Sequence, residues 1–257
     1  MIVKTLLAAL VAGLIAGVFT TVAQTARVVP IILHAEEYEG KEPAAEQPPA
    51  TGDQQQHSSL NQSVTVAEFV AAFSPITPAY AHEGEHEEEG GIMFGMSRFS
   101  GSLLANLVTS TGFSLLLTGV SLLIGYPITL RNGALWGACG WLAVHMLPAI
   151  GLPPELPGFP AADLHDRQIW WMATVLLSGA GLYLLVLRSE IVAKIAGLIL
   201  IAAPHLYGAP QPADITSPVP AVLGAEFAVA ALATALASWI VLGLISGYFN
   251  DRFLKSA

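Results

Sequence analysis

The sequence predicts an all-α fold, a polytopic membrane helix bundle of about six transmembrane helices with a long, partly disordered outer loop. Three observations predict it. Of the 257 residues, 54% are hydrophobic and only 11% are charged, against roughly 25% charged in an ordinary soluble domain. Mean hydropathy is +0.62. The apolar residues also gather into runs close to the roughly 20 residues that cross about 30 Å of hydrocarbon.

Six stretches meet or nearly meet that length: residues 5–24, 101–124, 134–150, 169–187, 191–207 and 221–245. The fifth is short and carries Lys194, which can snorkel from one turn inside the boundary. The chain divides accordingly. Residues 1–33 form the first transmembrane helix, 34–100 an acidic, histidine-containing outer loop, and 101–257 a five-helix transmembrane bundle. The first segment has a rival reading as a signal anchor or cleavable signal peptide, since Lys4, an apolar run and Thr21-Val22-Ala23 have that pattern. Retention is favoured by the apolar residues that continue through Leu33 and by Gly13 and Gly17, a GxxxG spacing suited to close helix packing.

With the N-terminus inside, Lys4, Arg131, Arg188, Lys194, Arg252 and Lys255 fall on the inner side and Arg27, Lys41, Arg98 and Arg167 on the outer side. The positive-inside rule then places both termini on the inner, cytoplasmic side of the membrane. In the outer loop, residues 35–60 are rich in Glu, Gln and Pro and bury too little to order the chain. Residues 63–73 suit a short amphipathic helix on the membrane surface.

Several function classes fall away. A net charge of −9 does not provide the basic face that nucleic-acid binding needs. The single Cys139 forms no intramolecular disulfide and no thiolate cluster. No Walker loop is present, so the chain does not itself hydrolyse ATP by that route. No internal repeat supports an inverted-repeat transporter.

Ionisable groups in a bilayer are costly, so each raises a functional hypothesis. His145, His205 and Glu226 lie in three separate spans at a similar outer depth. Imidazole and carboxylate together suit cobalt, nickel or zinc. His34, Asn106, Asp163, His165, Asp166, Met146 and Met172 are near enough in the outer half to complete a shell. The competing reading is structural: outer-end histidines satisfied at the headgroups, and Glu226 paired for packing. His82-Glu83-Gly84-Glu85-His86 matches the H-E-x-x-H pattern. Its central glycine and acidic surroundings disfavour a zinc protease helix and favour a loose, cation-attracting tract or a solvated acidic run. The candidate metal residues are thus His205, His145, Glu226, His82, His86 and His165, with no catalytic residue. In the inner half of the spans the polar groups are hydroxyls, small residues and the occasional aromatic, and no acidic residue or histidine marks an inner ion station.

Four strings occur in order: 136–143 (Trp-Gly-Ala-Cys-Gly-Trp-Leu-Ala), 151–158 (Gly-Leu-Pro-Pro-Glu-Leu-Pro-Gly), 167–171 (Arg-Gln-Ile-Trp-Trp) and 204–210 (Pro-His-Leu-Tyr-Gly-Ala-Pro). With them the chain resembles CbtA, the predicted cobalt transporter family associated with cobalamin synthesis, along all but the loop around 40–90. The resemblance implies cobalt uptake across a bacterial plasma (inner) membrane and a companion protein, a small one-span membrane partner with a His-rich tail. It implies five spans where six apolar segments are counted, and among site residues it directly supports His205. The expected function is a non-enzymatic permease subunit for a divalent cation, captured at an outer His/Glu site. The cation is cobalt by resemblance, and nickel or zinc by ligand chemistry. No tightly bound cofactor is expected, and the partners are the metal ion, the one-span companion and membrane lipid. The alternative is a non-transporting membrane metal sensor or scaffold that works through a partner.

Overall fold

The computed structural model describes residues 2–39 and 97–254. These form α1 (Ile2–Arg27), α2 (Val29–Glu39), α3 (Arg98–Ile124), α4 (Gly133–Trp141), a π-helical turn (Leu142–Met146), α5 (Leu147–Ala149), α6 (Leu164–Leu187), α7 (Ile191–Tyr207) and α8 (Ala221–Leu254), with no strand among the described residues. The sequence of the expected surface helix at 63–73 and the histidine tract at 82–86 lie outside the described residues.

Two prolines set the irregularities. Pro30 has no N–H to continue the ladder of α1. The amides of Ile31 and Ile32 instead both turn to the Val28 carbonyl, at 3.1 and 3.2 Å, and α2 starts from there. Helix therefore runs to Glu39, six residues past the expected boundary at 33, and Glu36 accepts from Arg98 at 3.0 Å at the start of α3. Pro148 likewise offers no N–H to Val144, and its ring crowds that carbonyl. The Leu147 amide reaches back five residues to Leu142, which widens the helix into the π turn. Gly125, at φ 68°, ends α3 in the left-handed region that glycine enters without strain.

Among the described residues, four helices are long and apolar enough to cross a membrane: Val3–Arg27, Arg98–Ile124, Leu164–Leu187 and Ala221–Arg252. The other two expected spans are shorter. Ile191–Tyr207 has 17 residues, about 26 Å of helix against about 30 Å of hydrocarbon. The third is divided by the π turn.

α1 is the most enclosed of the four long helices. Ala8, Ala9, Ala12 and Ala16 are buried, and Gly13 and Gly17 lie directly on the α3 backbone at Ser110–Thr111 and Asn106–Leu107. The pairing is antiparallel, since higher numbers on α1 meet lower ones on α3. This is close packing through small residues, the arrangement expected of a GxxxG pair. α4 and α8 pair the same way, with Gly133 against Gly243 and Gly137 against the Trp239 carbonyl. α6 and α7 form a hairpin in which Gly181 meets Gly197.

Alternating direction sorts the bundle into two ends. Lys4, Arg131, Arg188, Lys194 and Arg252 fall at one end, here called the basic end. Arg27, His34, His145, His165, His205 and Glu226 fall toward the other, the loop end. A cluster of Ala35, Leu156, Val219 and Leu223, with Phe159 and Phe227 against it, caps the loop end.

Candidate functional site

The strings read in the sequence converge at the loop end. Arg167, in the first turn of α6, donates to Glu155 of the 150–163 connection at 2.8 Å. Three residues on, the indole of Trp170 donates to the Pro204 carbonyl at 3.2 Å. Gly151 packs on the Trp170 ring and on Ala209, where a Cβ would collide. Three of the four strings thereby meet in one place, and the fourth is tied into the bundle by Trp141, whose indole donates to the Leu232 carbonyl at 3.0 Å. Burial raises the Glu155 carboxyl above its ordinary value, and the nearby Arg167 charge and hydrogen bond only partly oppose this.

His205 sits in this cluster, edge-on to Trp170 with ring centroids 5.8 Å apart. Its Nε2 is buried and has no hydrogen-bond partner among the described residues. A buried polar nitrogen without a partner costs about 1–3 kcal/mol, so this atom is held at a cost in stability. Pro204 lies inside the last turn of α7, which runs on to Tyr207, and the Gly208 amide closes that turn onto the Pro204 carbonyl at 3.1 Å, which fixes the segment carrying the ring.

His145 lies elsewhere. The π turn points it into the four-helix part of the bundle, where Trp239 donates its indole N–H to Nδ1 at 3.2 Å and Phe113 and Trp239 pack around the ring. An indole only donates, so Nδ1 is the unprotonated nitrogen and Nε2 carries the proton of the neutral ring. The nitrogen with a free lone pair is therefore already engaged. As placed, His145 is a wall residue whose lone-pair nitrogen accepts from the Trp239 indole. It lines a cavity of about 100 Å³ with Thr20, Gln24, Asn106, Ser110 and Ser238.

Glu226 is exposed on α8 and faces a separate open groove of about 630 Å³ that Arg27, Ile31 and Val229 also line. His165 is exposed in the first turn of α6. Asp163 is its N-cap, accepting from the amides of His165 and Asp166 at 2.9 and 3.2 Å, a structural role that ties up one of its oxygens. His34 packs against Tyr38 at 5.7 Å. The similar depth of His145, His205 and Glu226 thus does not bring them into one shell. Among the described residues no three His, Cys, Asp or Glu side chains are grouped to hold a metal ion. His82 and His86 lie outside the described residues.

The sequence reading missed most of the cavity. Thr20, Gln24, Ser110, Ser238 and Trp239 were not singled out, and Asn106 was named only as a neighbour. Hydroxyls and amides in an apolar helix have no spacing that separates a cavity lining from ordinary interhelical hydrogen bonding.

No curated protein and no solved structure matches the chain. The model of one family, the probable cobalt transporter subunit (CbtA), matches residues 2–251 and so takes in all four strings and both neighbourhoods just described; the chain belongs to that family and is a helical membrane protein.

Proposed function

We propose that the chain is the membrane-embedded subunit through which a divalent cation, cobalt before nickel or zinc, enters the cell, with capture at the loop end. The observation that carries this is the buried, unpartnered Nε2 of His205 within the cluster of family strings. An imidazole nitrogen with no competing hydrogen bond is a good first-row metal ligand. Burial beside Trp170 holds its ring in one orientation. His165 and Glu226 act at the same end as separate stations, and the acidic tract with His82 and His86 raises the local cation concentration. His145 serves as the inner wall of this entry region.

A transporter subunit works with another subunit. A small one-span partner with a His-rich tail fits this chain, because the described residues at the basic end carry no histidine. The loop end faces outward and the termini lie in the cytoplasm of a bacterial inner membrane. Lys4, Arg131, Arg188, Lys194 and Arg252 at the opposite end, against Arg27, Arg98 and Arg167 at this one, support that orientation, and the family supports the bacterial membrane.

The test is radiolabelled cobalt uptake in cells that lack other importers, with this chain and its partner expressed separately and together. Uptake should require both, and should fall with His205→Ala and, less, with Glu226→Gln, while membrane insertion is unchanged. Normal uptake in both variants would remove the capture site. No uptake despite correct insertion would favour a metal sensor or scaffold.

A further inference from the structure

An open groove of about 630 Å³ lies at the loop end between α1, α2 and α8, lined by Arg27, Ile31, Glu226, Val229, Ala230 and Ala233. Arg27 and Glu226 are both exposed and bring opposite charges to it. No ion pair joins them: the pairs among the described residues are Arg98–Glu36, Arg167–Glu155 and Arg188–Glu190. Glu226 is also the only charged residue between Asp214 and Asp251, so it stands alone on an apolar membrane helix. A carboxylate in that position is costly without a counter-charge, and the Arg27 guanidinium in the same groove calls for an anion in turn. The space they share suits a group that carries both charges.

The groove is also about one leaflet deep. Along α8 its lining runs over residues 225–234, nine steps of about 1.5 Å, or about 14 Å. Half of a hydrocarbon core of about 30 Å is about 15 Å. A helix that crossed the membrane would overhang the groove by about half its length, whereas a lipid of that leaflet fits it from end to end. Glu226 lies near the loop-end start of this stretch. Val229, Ala230 and Ala233 continue inward from it and give the floor an apolar surface.

We propose that this groove holds one zwitterionic phospholipid with a primary ammonium, of the phosphatidylethanolamine kind, in the leaflet at the loop end. Its phosphate sits on Arg27, its ammonium on Glu226 and one acyl chain along Val229, Ala230 and Ala233. Guanidinium with phosphate, and ammonium with carboxylate, are charge-assisted hydrogen bonds, the stronger kind. An anionic headgroup satisfies Arg27 but sets a like charge against Glu226. A choline headgroup has both charges but no N–H to donate to the carboxylate. The lipid site goes beyond the cation-uptake reading and does not rest on it. The two meet at Glu226, where the ammonium is the resting counter-ion and a captured cation takes its place, whereas Arg27 serves the lipid alone.

The test uses the purified full-length chain, delipidated in detergent and free of cobalt. It is titrated with phosphatidylethanolamine, phosphatidylcholine or phosphatidylglycerol of identical acyl chains, with bound lipid read by native mass spectrometry and stability by the melting temperature. Phosphatidylethanolamine should bind about 10-fold more tightly than the other two and raise Tm by about 5 °C near saturation. Arg27→Gln and Glu226→Gln should each abolish the preference. Ala233→Phe, which fills an exposed part of the floor, should expel the lipid with both charges in place. Arg188→Gln, on the exposed hairpin turn, should keep it. Equal binding of the three lipids by the parent chain, or a preference that survives in both charge variants, would overturn the site. Charge variants that lose the same stability with every lipid and with none would overturn it too, in favour of a direct Arg27–Glu226 pair. A matching shift from soluble glycerophosphoethanolamine would show that no acyl chain is held, and would overturn the lipid. Absent cobalt uptake in cells, with the lipid preference intact, would overturn the uptake reading alone.

Discussion

The four-helix part of the bundle, formed by α1, α3, α4 and α8, and the hairpin of α6 and α7 are built from similarly apolar residues, yet they use them differently. In the first, backbones meet directly at Gly13, Gly17, Gly133, Gly137 and Gly243, and hydroxyls and amides are buried between them. In the second, the close approach at Gly181 and Gly197 and the Trp170 indole on the Pro204 carbonyl hold the pair, and Thr174 and Ser178 are buried on α6. The rest of α7 turns Ile191, Val192, Ile195, Leu198 and Ile199 outward. Lipid tails are as apolar as leucine, so burial against another helix gains little there. Tight backbone contact is the stronger device, and most of the buried polar residues lie where that contact is densest.

The largest expected effect breaks this contrast at its backbone contacts. A Cβ at Gly137 meets the Trp239 carbonyl, whereas Gly179 on the hairpin faces open space. Gly137→Leu should cost about 3 kcal/mol or more and leave little monodisperse protein after detergent extraction. Gly179→Leu should extract as the parent does. Equal behaviour would show that the four-helix part is not the rigid half.

A smaller effect compares the ion pairs of the loop and basic ends. Arg167 and Glu155 are 13% and 25% exposed in their side chains, whereas Arg188 and Glu190 on the hairpin turn are 50% and 57% exposed. Arg167→Met leaves a half-buried carboxylate unpaired and should destabilise by about 1–3 kcal/mol. Arg188→Met should cost at most about 0.5 kcal/mol. Thermal unfolding of both variants in the same detergent measures the difference.

Trp239→Phe removes the indole donor to His145 but keeps most of the packing, at about 1 kcal/mol. It should also release the imidazole tautomer, which nitrogen-resolved NMR of labelled histidine would detect. An unchanged His145 signal would show that the indole does not set the proton's position.

The smallest effect is on pH. Burial raises Glu155 in the folded chain, so the folded protein holds this proton more tightly than the unfolded one does. The stability it contributes is complete below the unfolded carboxylate value and is lost as pH rises through the folded one. The melting temperature should therefore carry a shallow decline above about pH 4.3, absent in Glu155→Gln. An identical slope in both proteins would assign the decline to other groups.

Much of the fold was legible because the signals are local. Apolar runs marked every described long helix, and Gly13 with Gly17 foretold where two backbones touch. The two shortfalls also have local causes. Pro30 reset the ladder so that helix ran on to Glu39, and Pro148 opened the π turn that divides the third rod. The site was less legible. The string around His205 marked it as a candidate, but depth along three helices did not reveal the azimuth of each side chain about its axis. His145, His205 and Glu226 share a level and face three different spaces.

The sequence by itself determined that this chain is a helical membrane protein, where its long helices lie, and which family it belongs to, because hydropathy and motif order are properties of neighbours along the chain. Only the tertiary structure decided which nitrogen of His145 is engaged, that Nε2 of His205 is buried without a partner, and that Thr20, Asn106 and Ser238 look into one cavity. Hydrogen-bond direction and helix rotation depend on residues far apart in sequence, such as the indole of Trp239 reaching His145. No local pattern encodes a contact across 94 positions.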